Sequence, residues 1–405
     1  MPKHRILRSF MAVLLALLAL FGALLAWMYN ALPDTFYVTG ESSQLHIASM
    51  PWVTVRQGQE TVSRVDRTDP DRSQNVTLAL FGAIPVKTVR SVQVETRSVQ
   101  VGGTPFGIKM FSDGALVVAF SDQYTSLGTE NPAKEAGLKL GDLIVSAGGR
   151  AIRSNEELTQ AITAAAGRSL SLVYRRDGQE HTTTLTPVED AATGAYRAGV
   201  WVRDSSAGIG TMTFLDPLHG TFAGLGHAIS DTDTGADITL LSGEIVPVMI
   251  TGCVSGTAGS PGELRGEFSA VTAGTVLAND ATGIYGSYTG PQTGQNCVVC
   301  QPQEIALGEA EIWTTVSGST PKRYTVRIEL VNMTSGDPNR NLLIKVTDPE
   351  LLAATGGIVQ GMSGSPIVQN GKLVGAVTHV LVNDPTRGYG IFASTMLEKA
   401  DSVAS

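Results

Sequence analysis

Residues 10–27, FMAVLLALLALFGALLAW, run without a charged side chain. At about 1.5 Å per residue this makes roughly 27 Å of helix, close to the hydrocarbon thickness of a bilayer. Lys3, His4, Arg5 and Arg8 precede the run. Positive charge on that flank keeps the N-terminus in the cytoplasm and places the rest of the chain outside. A secretory signal has a shorter apolar core and a small-x-small cleavage site. The length of this run, with Trp27 and Tyr29 at interfacial depth, favours an uncleaved anchor over a cleaved signal. Residues 1–30 therefore read as a cytoplasmic tip and transmembrane anchor, and the fold has to come from the other residues.

The remainder suits turn-rich β structure. Glycine is abundant at 45 residues, charged residues make up 16%, and the formal net charge is -8. No Lys/Arg-rich run lies beyond the anchor, which argues against a nucleic-acid partner. The three cysteines are Cys253, Cys297 and Cys300. The last two form a single CxxC, without the second pair or the histidines a zinc site needs. A local disulfide and two free thiols both remain open, and no metal or other cofactor is expected.

Residues 31–101 read as a linker with short strands. Asp69-Pro70-Asp71 and Ser73-Gln74-Asn75 are turn formers, and 76–101 partly alternates apolar and polar residues. Residues 102–190 form a unit. Ser154, with Glu157 three residues on, opens a helix over 155–166 whose apolar positions are Leu158, Ile162 and Ala165. Strands over 169–175 and 181–187 turn at Asp177-Gly178. The segment PAKEAGLKLGDLIVSAGGRAI (132–152) resembles a PDZ domain. That resemblance implies that Gly107, Ile108, Lys109 and Met110 receive a peptide C-terminus on their backbone N–H groups.

Residues 191–405 show recurring strand-like runs with Gly, Asp and Asn between them, and only 349–354 and 395–403 suggest helices. An all-β sandwich or barrel is the expectation. Within it, Gly361-Met362-Ser363-Gly364-Ser365-Pro366 sets a serine on a turn with little bulk around it. Such a turn exposes the hydroxyl and aims neighbouring N–H groups, here those of Gly361 and Ser363, at one point as an oxyanion hole. Asn370-Gly371 then closes a hairpin. A serine nucleophile needs a base. Of six histidines, His227 in Gly226-His227-Ala228 ranks above His379, and His219 reads as a surface turn residue. Asp231, Asp233 and Asp348 are candidates to orient the imidazole. Asp348, in Thr347-Asp348-Pro349, reads equally as a helix N-cap.

The segments LFGAIPVKTV (80–89), GLGHAISDTDTG (224–235) and VTDPELLAATGGIVQGMSGSPIVQNGKLVGAVTHVLVNDPTRGYGIF (346–392) resemble the SpoIVB peptidase family, PDZ-containing serine peptidases of endospore-forming bacteria. The resemblance implies a chymotrypsin-like double β-barrel with catalytic His227, Asp348 and Ser363. It also implies a forespore membrane protein facing the intermembrane space. Such a peptidase cleaves itself and then a membrane-bound regulator of an intramembrane protease, triggering sigma-factor maturation during sporulation. The Asp-to-Ser gap is far shorter than in chymotrypsin-like enzymes. The competing reading is a catalytically inactive PDZ scaffold that tethers a membrane partner.

Overall fold

The computed structural model describes residues 2–39, 45–56, 73–231, 233–235, 237–291 and 294–404. The chain opens with helix α1, Pro2–Ala31. Its stretch Arg8–Ala31 is long and apolar enough to cross a membrane, and side chains such as Phe10, Leu15 and Leu20 lie exposed along it. The end of α1 behaves differently. Met28 and Leu32 are fully buried against a four-stranded sheet.

The expected short strands of 31–101 are present, but they form a sheet with a core of its own in place of a linker. Thr35–Val38, Ile84–Gln93, Ser73–Leu80 and Val53–Val55 lie side by side in that order. Thr35–Val38 pairs parallel to Ile84–Gln93, and the other neighbours are antiparallel. Phe36, Ile47, Val53, Leu78 and Val89 join Met28 and Leu32 in a core of their own. Ser73-Gln74-Asn75, expected in a turn, open a strand; Asp69-Pro70-Asp71 lie outside the described residues. Ala48 donates its amide to the Gln303 carbonyl, 2.7 Å away, and Gln303 Nε2 donates to the Tyr37 carbonyl. The Gln-rich turn after the CxxC thus docks this sheet onto the rest.

The PDZ unit matches the sequence reading closely. Helix α2, Pro132–Glu135, is capped by Asn131, whose side chain accepts from the Lys134 amide. Helix α3, Asn155–Ala165, buries Leu158, Ile162 and Ala165 and is capped by Ser154 Oγ. Only half of the capping box forms, because the Glu157 carboxylate takes the Arg153 amide instead. Leu170–Arg176 and Gln179–Leu185 pair through a turn in which Asp177 and Gly178 both hold positive φ, as a two-residue hairpin turn requires. Val117, Ile144, Leu158, Leu172 and Leu185 form the core.

Two closed six-stranded barrels make up the remainder. In the first, Pro105–Phe120, Val200–Asp216, Thr221–Gly224, Gly283–Tyr288, Gly274–Asp280 and Leu240–Val254 pair in a ring. In the second, Gly308–Thr314, Lys322–Val331, Leu342–Val346, Asp384–Phe392, Lys372–Leu381 and Pro366–Gln369 do the same. Phe106, Ile108, Phe222 and Ile284 fill the first barrel; Ile312, Val326, Ile344 and Ile367 fill the second. Helix α4, Pro349–Thr355, precedes the serine turn. Helix α5, Ala393–Ala404, packs Met396, Leu397 and Ala400 into a third cluster between the barrels.

The ring of the first barrel overturns one expectation. Gly107, Ile108, Lys109 and Met110 lie mid-strand, with Ile209 to Ser206 on one edge and Val246 to Gly243 on the other. Both rows of backbone N–H and C=O groups are already paired, so no peptide can add there. The far half of the same strand, from Ala115, pairs with the PDZ strand Leu143–Ala147, and residues 200–203 return alongside it. The PDZ unit is therefore an insertion between two strands of the barrel. The peptidase fold begins before residue 102 rather than at 191, since Ser98–Val101 also pairs into it.

Candidate active site

The serine turn is held from the first barrel. Thr211 donates its amide to the Ser363 carbonyl at 2.9 Å and its hydroxyl to the Gly361 carbonyl at 2.8 Å. The Thr213 hydroxyl donates to the Gly364 carbonyl at 2.8 Å. Gly364 has φ +91°, and a Cβ there would meet the Thr211 carbonyl oxygen at 2.0 Å and the Leu225 nitrogen at 2.4 Å. Only glycine fits that conformation and approach. The Met362, Gly364 and Ser365 amides have backbone acceptors, in Val359, Val377 and Met362. Among the described residues the amides of Gly361 and Ser363 have none. These two amides stay unbonded in the turn that carries the half-buried Ser363 hydroxyl. The hydroxyl itself donates to the Thr378 carbonyl, 2.8 Å away.

His227 reaches the same place from the other barrel. The strand Thr221–Gly224 ends in Leu225 and Gly226, both at positive φ. That double left-handed step turns the chain under the serine loop, where Gly226 sits against the Thr378 methyl group. His227 Nδ1 lies 2.7 Å from the Ala228 carbonyl. A carbonyl only accepts, so Nδ1 carries the proton and Nε2 keeps its lone pair. Burial pulls the imidazole below its ordinary pKa, only partly offset by the Ala228 carbonyl and the charge of Asp237. The ring is therefore neutral, and able to accept a proton, at pH 7.

The loop after His227 is clamped by Asn279 and Arg203, which no sequence signal singled out, and by the two candidate acids Asp231 and Asp233. Asn279 accepts from the Ile229 amide and donates to the Ile229 and Ile238 carbonyls. Buried Asp231 pairs with Arg203 and accepts from Asp233 and Thr234 of its own loop. Asp233 also pairs with Arg203. Neither carboxylate bonds to the imidazole.

Asp348 does not reach His227 either. One carboxylate oxygen accepts from the Glu350 and Leu351 amides at the start of α4, and the other from the Thr325 amide. Burial pushes this carboxyl up, but the Leu351, Thr325 and Glu350 amides outweigh it and hold its pKa below the usual range. The helix-cap alternative is the one realised, and the expectation of Asp348 as third member of a triad is corrected. Instead, the ring of His379 stands over His227, with centroids 4.7 Å apart and planes tilted 33°.

Cys297 and Cys300 are buried free thiols, raised in pKa by burial and so held as unreactive thiols. Asp216, His219 and Asp401 come close enough to suggest metal ligands, but the Arg97 guanidinium pairs with both carboxylates and ties α5 to the barrel.

A serine on a glycine-built turn and a neutral histidine packed on His379, carried by two different barrels, are the parts a serine peptidase uses. The sequence model of the SpoIVB peptidase S55 family matches residues 194–397, half the chain, and a PDZ-domain model matches 108–186. The chain belongs to the SpoIVB peptidase S55 family. Serine protease HTRA1 of Xenopus tropicalis is 42% identical over 60 residues, 15% of this chain and 13% of that protein. The chain spans less than a quarter of the length of the curated relatives it matches. Among solved structures, the Rv3671c protease of M. tuberculosis in its active form aligns over 48% of this chain and 74% of that one, at 15% identity and a TM-score of 0.31. The PDZ domain of an SdrC-like protein from Listeria monocytogenes aligns over 22% of this chain and 87% of that one, at 21% identity and a TM-score of 0.18.

Proposed function

We propose that the chain is an endopeptidase in which Ser363 is the nucleophile and His227 the general base. Ser363 Oγ turns from the Thr378 carbonyl to attack the scissile carbonyl carbon. His227 Nε2 takes the hydroxyl proton and returns it to the leaving amine as the C–N bond breaks. Water, deprotonated by the same nitrogen, then hydrolyses the acyl-enzyme. The Gly361 and Ser363 amides hold the oxyanion in both steps, and one such donor typically contributes a factor of about 100 or more in rate. The observation that carries this reading is one short stretch shared by both residues: the Ser363 hydroxyl donates to the Thr378 carbonyl, and the His227 ring, protonated at Nδ1, packs on His379, the next residue.

The substrates we propose derive from family membership and the N-terminal helix. The catalytic part lies outside the cytoplasmic membrane, in the forespore intermembrane space. It cleaves its own N-terminal region and then a membrane-bound regulator of an intramembrane protease, which releases a late sigma factor. Ser363→Ala should abolish self-processing of purified protein while leaving it folded. Undiminished processing by that variant would refute the reading and favour the inactive scaffold.

A further inference from the structure

Among the described residues no carboxylate bonds to the ring of the proposed base. Its Nδ1 is fixed by a backbone carbonyl, which sets the tautomer but leaves the ring free to tilt. The second restraint comes from a short stretch of the other barrel. Thr378 is buried, and its hydroxyl donates to the Asn339 carbonyl at 2.7 Å. Thus fixed, its carbonyl receives the Ser363 hydroxyl. The next residue, His379, lays its ring over His227. One peptide unit therefore touches both members of the proposed pair, the serine through a carbonyl and the histidine through a side chain.

We propose that His379 is a positioning residue for His227, a ring platform that holds the base in register with Ser363 and keeps water off its face, while the Ala228 carbonyl occupies Nδ1. This rests on the reading of Ser363 and His227 as nucleophile and base. A carboxylate would stabilise imidazolium by charge; a neutral ring instead shields the imidazole and favours its neutral, proton-accepting form. The groups facing the two rings fit that division. Asp237 faces His227 from its own loop. Asp337 and Arg340 face His379 from the cap and the end of the turn Pro338–Arg340, with opposite effects, while burial and His227 both lower His379. His379 is therefore neutral at pH 7, as His227 is. It keeps part of its ring at the surface, so replacing it should not unfold the barrel.

The test compares full-length wild type, His379→Ala, His379→Phe and His227→Ala in detergent. The readout is the rate at which a phosphonate probe labels Ser363 between about pH 4.5 and 9. His379→Ala should lower the plateau about ten-fold and move the acidic limb up, toward the ordinary histidine value, as water reaches His227. His379→Phe should restore the limb and most of the plateau, because a flat ring is what the site uses. A wild-type profile for His379→Ala would overturn the inference, and so would a Phe variant as impaired as the Ala variant. Undiminished labelling of His227→Ala would instead overturn the parent reading of His227 as base.

Discussion

Aspartate 348 shows how one residue type serves two purposes that look alike in sequence. An Asp before Pro, fifteen positions ahead of the serine, suits a triad acid and a helix cap equally. The fold resolves the choice, because the Glu350, Leu351 and Thr325 amides already occupy both oxygens. Asp348→Ala should cost about 1 kcal/mol of stability, as lost caps do, while Ser363 remains reactive toward a phosphonate. Thermal unfolding and labelling measured together check this; loss of labelling in a folded variant would restore the catalytic role. His227 carries a second residue-scale consequence. Its folded pKa is depressed, so the unfolded chain binds its proton more readily. That contribution to stability is fully present above about 6.5 and is lost as pH falls through the folded value. The acidic limb of activity should likewise lie below 6.5, which a pH–rate profile measures.

At the scale of elements, local signals were the legible ones. The Ser154 cap, the Asp177-Gly178 and Asn370-Gly371 turns, α4 and α5 all stand close to their expected positions. Each is decided by neighbours within a few residues. Strand pairing is not. Residues 107–110 carry the pattern of a PDZ peptide-binding loop, but their partners at 206–209 and 243–246 lie far along the chain, and nothing local announces them. The same blindness hid Asn279, whose use is apparent only once its strand lies beside the His227 loop. The junction of α1 with its sheet was hidden too. Met28 and Leu32 are fully buried there, and Lys87 ties the Leu32 carbonyl and Asp34 to the sheet. Met28→Ala with Leu32→Ala should destabilise the N-terminal sheet by about 4 kcal/mol or more. Limited proteolysis within residues 45–93, against an unchanged peptidase core, would report it.

For the whole molecule, the serine turn and the PDZ segment were readable from sequence because each compresses its signature into a short stretch. The insertion of one domain into the other was not, since it is a property of long strands shared between them. Pro105–Phe120 and Val200–Asp216 each belong to the barrel at one end and to the PDZ unit at the other. Arg203, on the shared portion, grips Asp231 and Asp233 just beyond His227. A cavity of about 600 Å³ opens beside that contact, between PDZ residues Leu140 and Arg175 and loop residues Asp231 and Asp237. The PDZ unit is thus built against the loop that carries the proposed base. Arg203→Ala, which frees the buried Asp231 carboxylate, should slow labelling of Ser363 several-fold without touching the serine turn.

Ser363 and His227 come from two different barrels, and the proposed chemistry needs them to act as one reactive unit. Labelling of the full-length protein with a phosphonate, followed by peptide mapping, decides whether they do. Adduct is expected on Ser363 alone, lost in Ser363→Ala and strongly reduced in His227→Ala. Adduct on another serine, or full reactivity of Ser363 without His227, would contradict it.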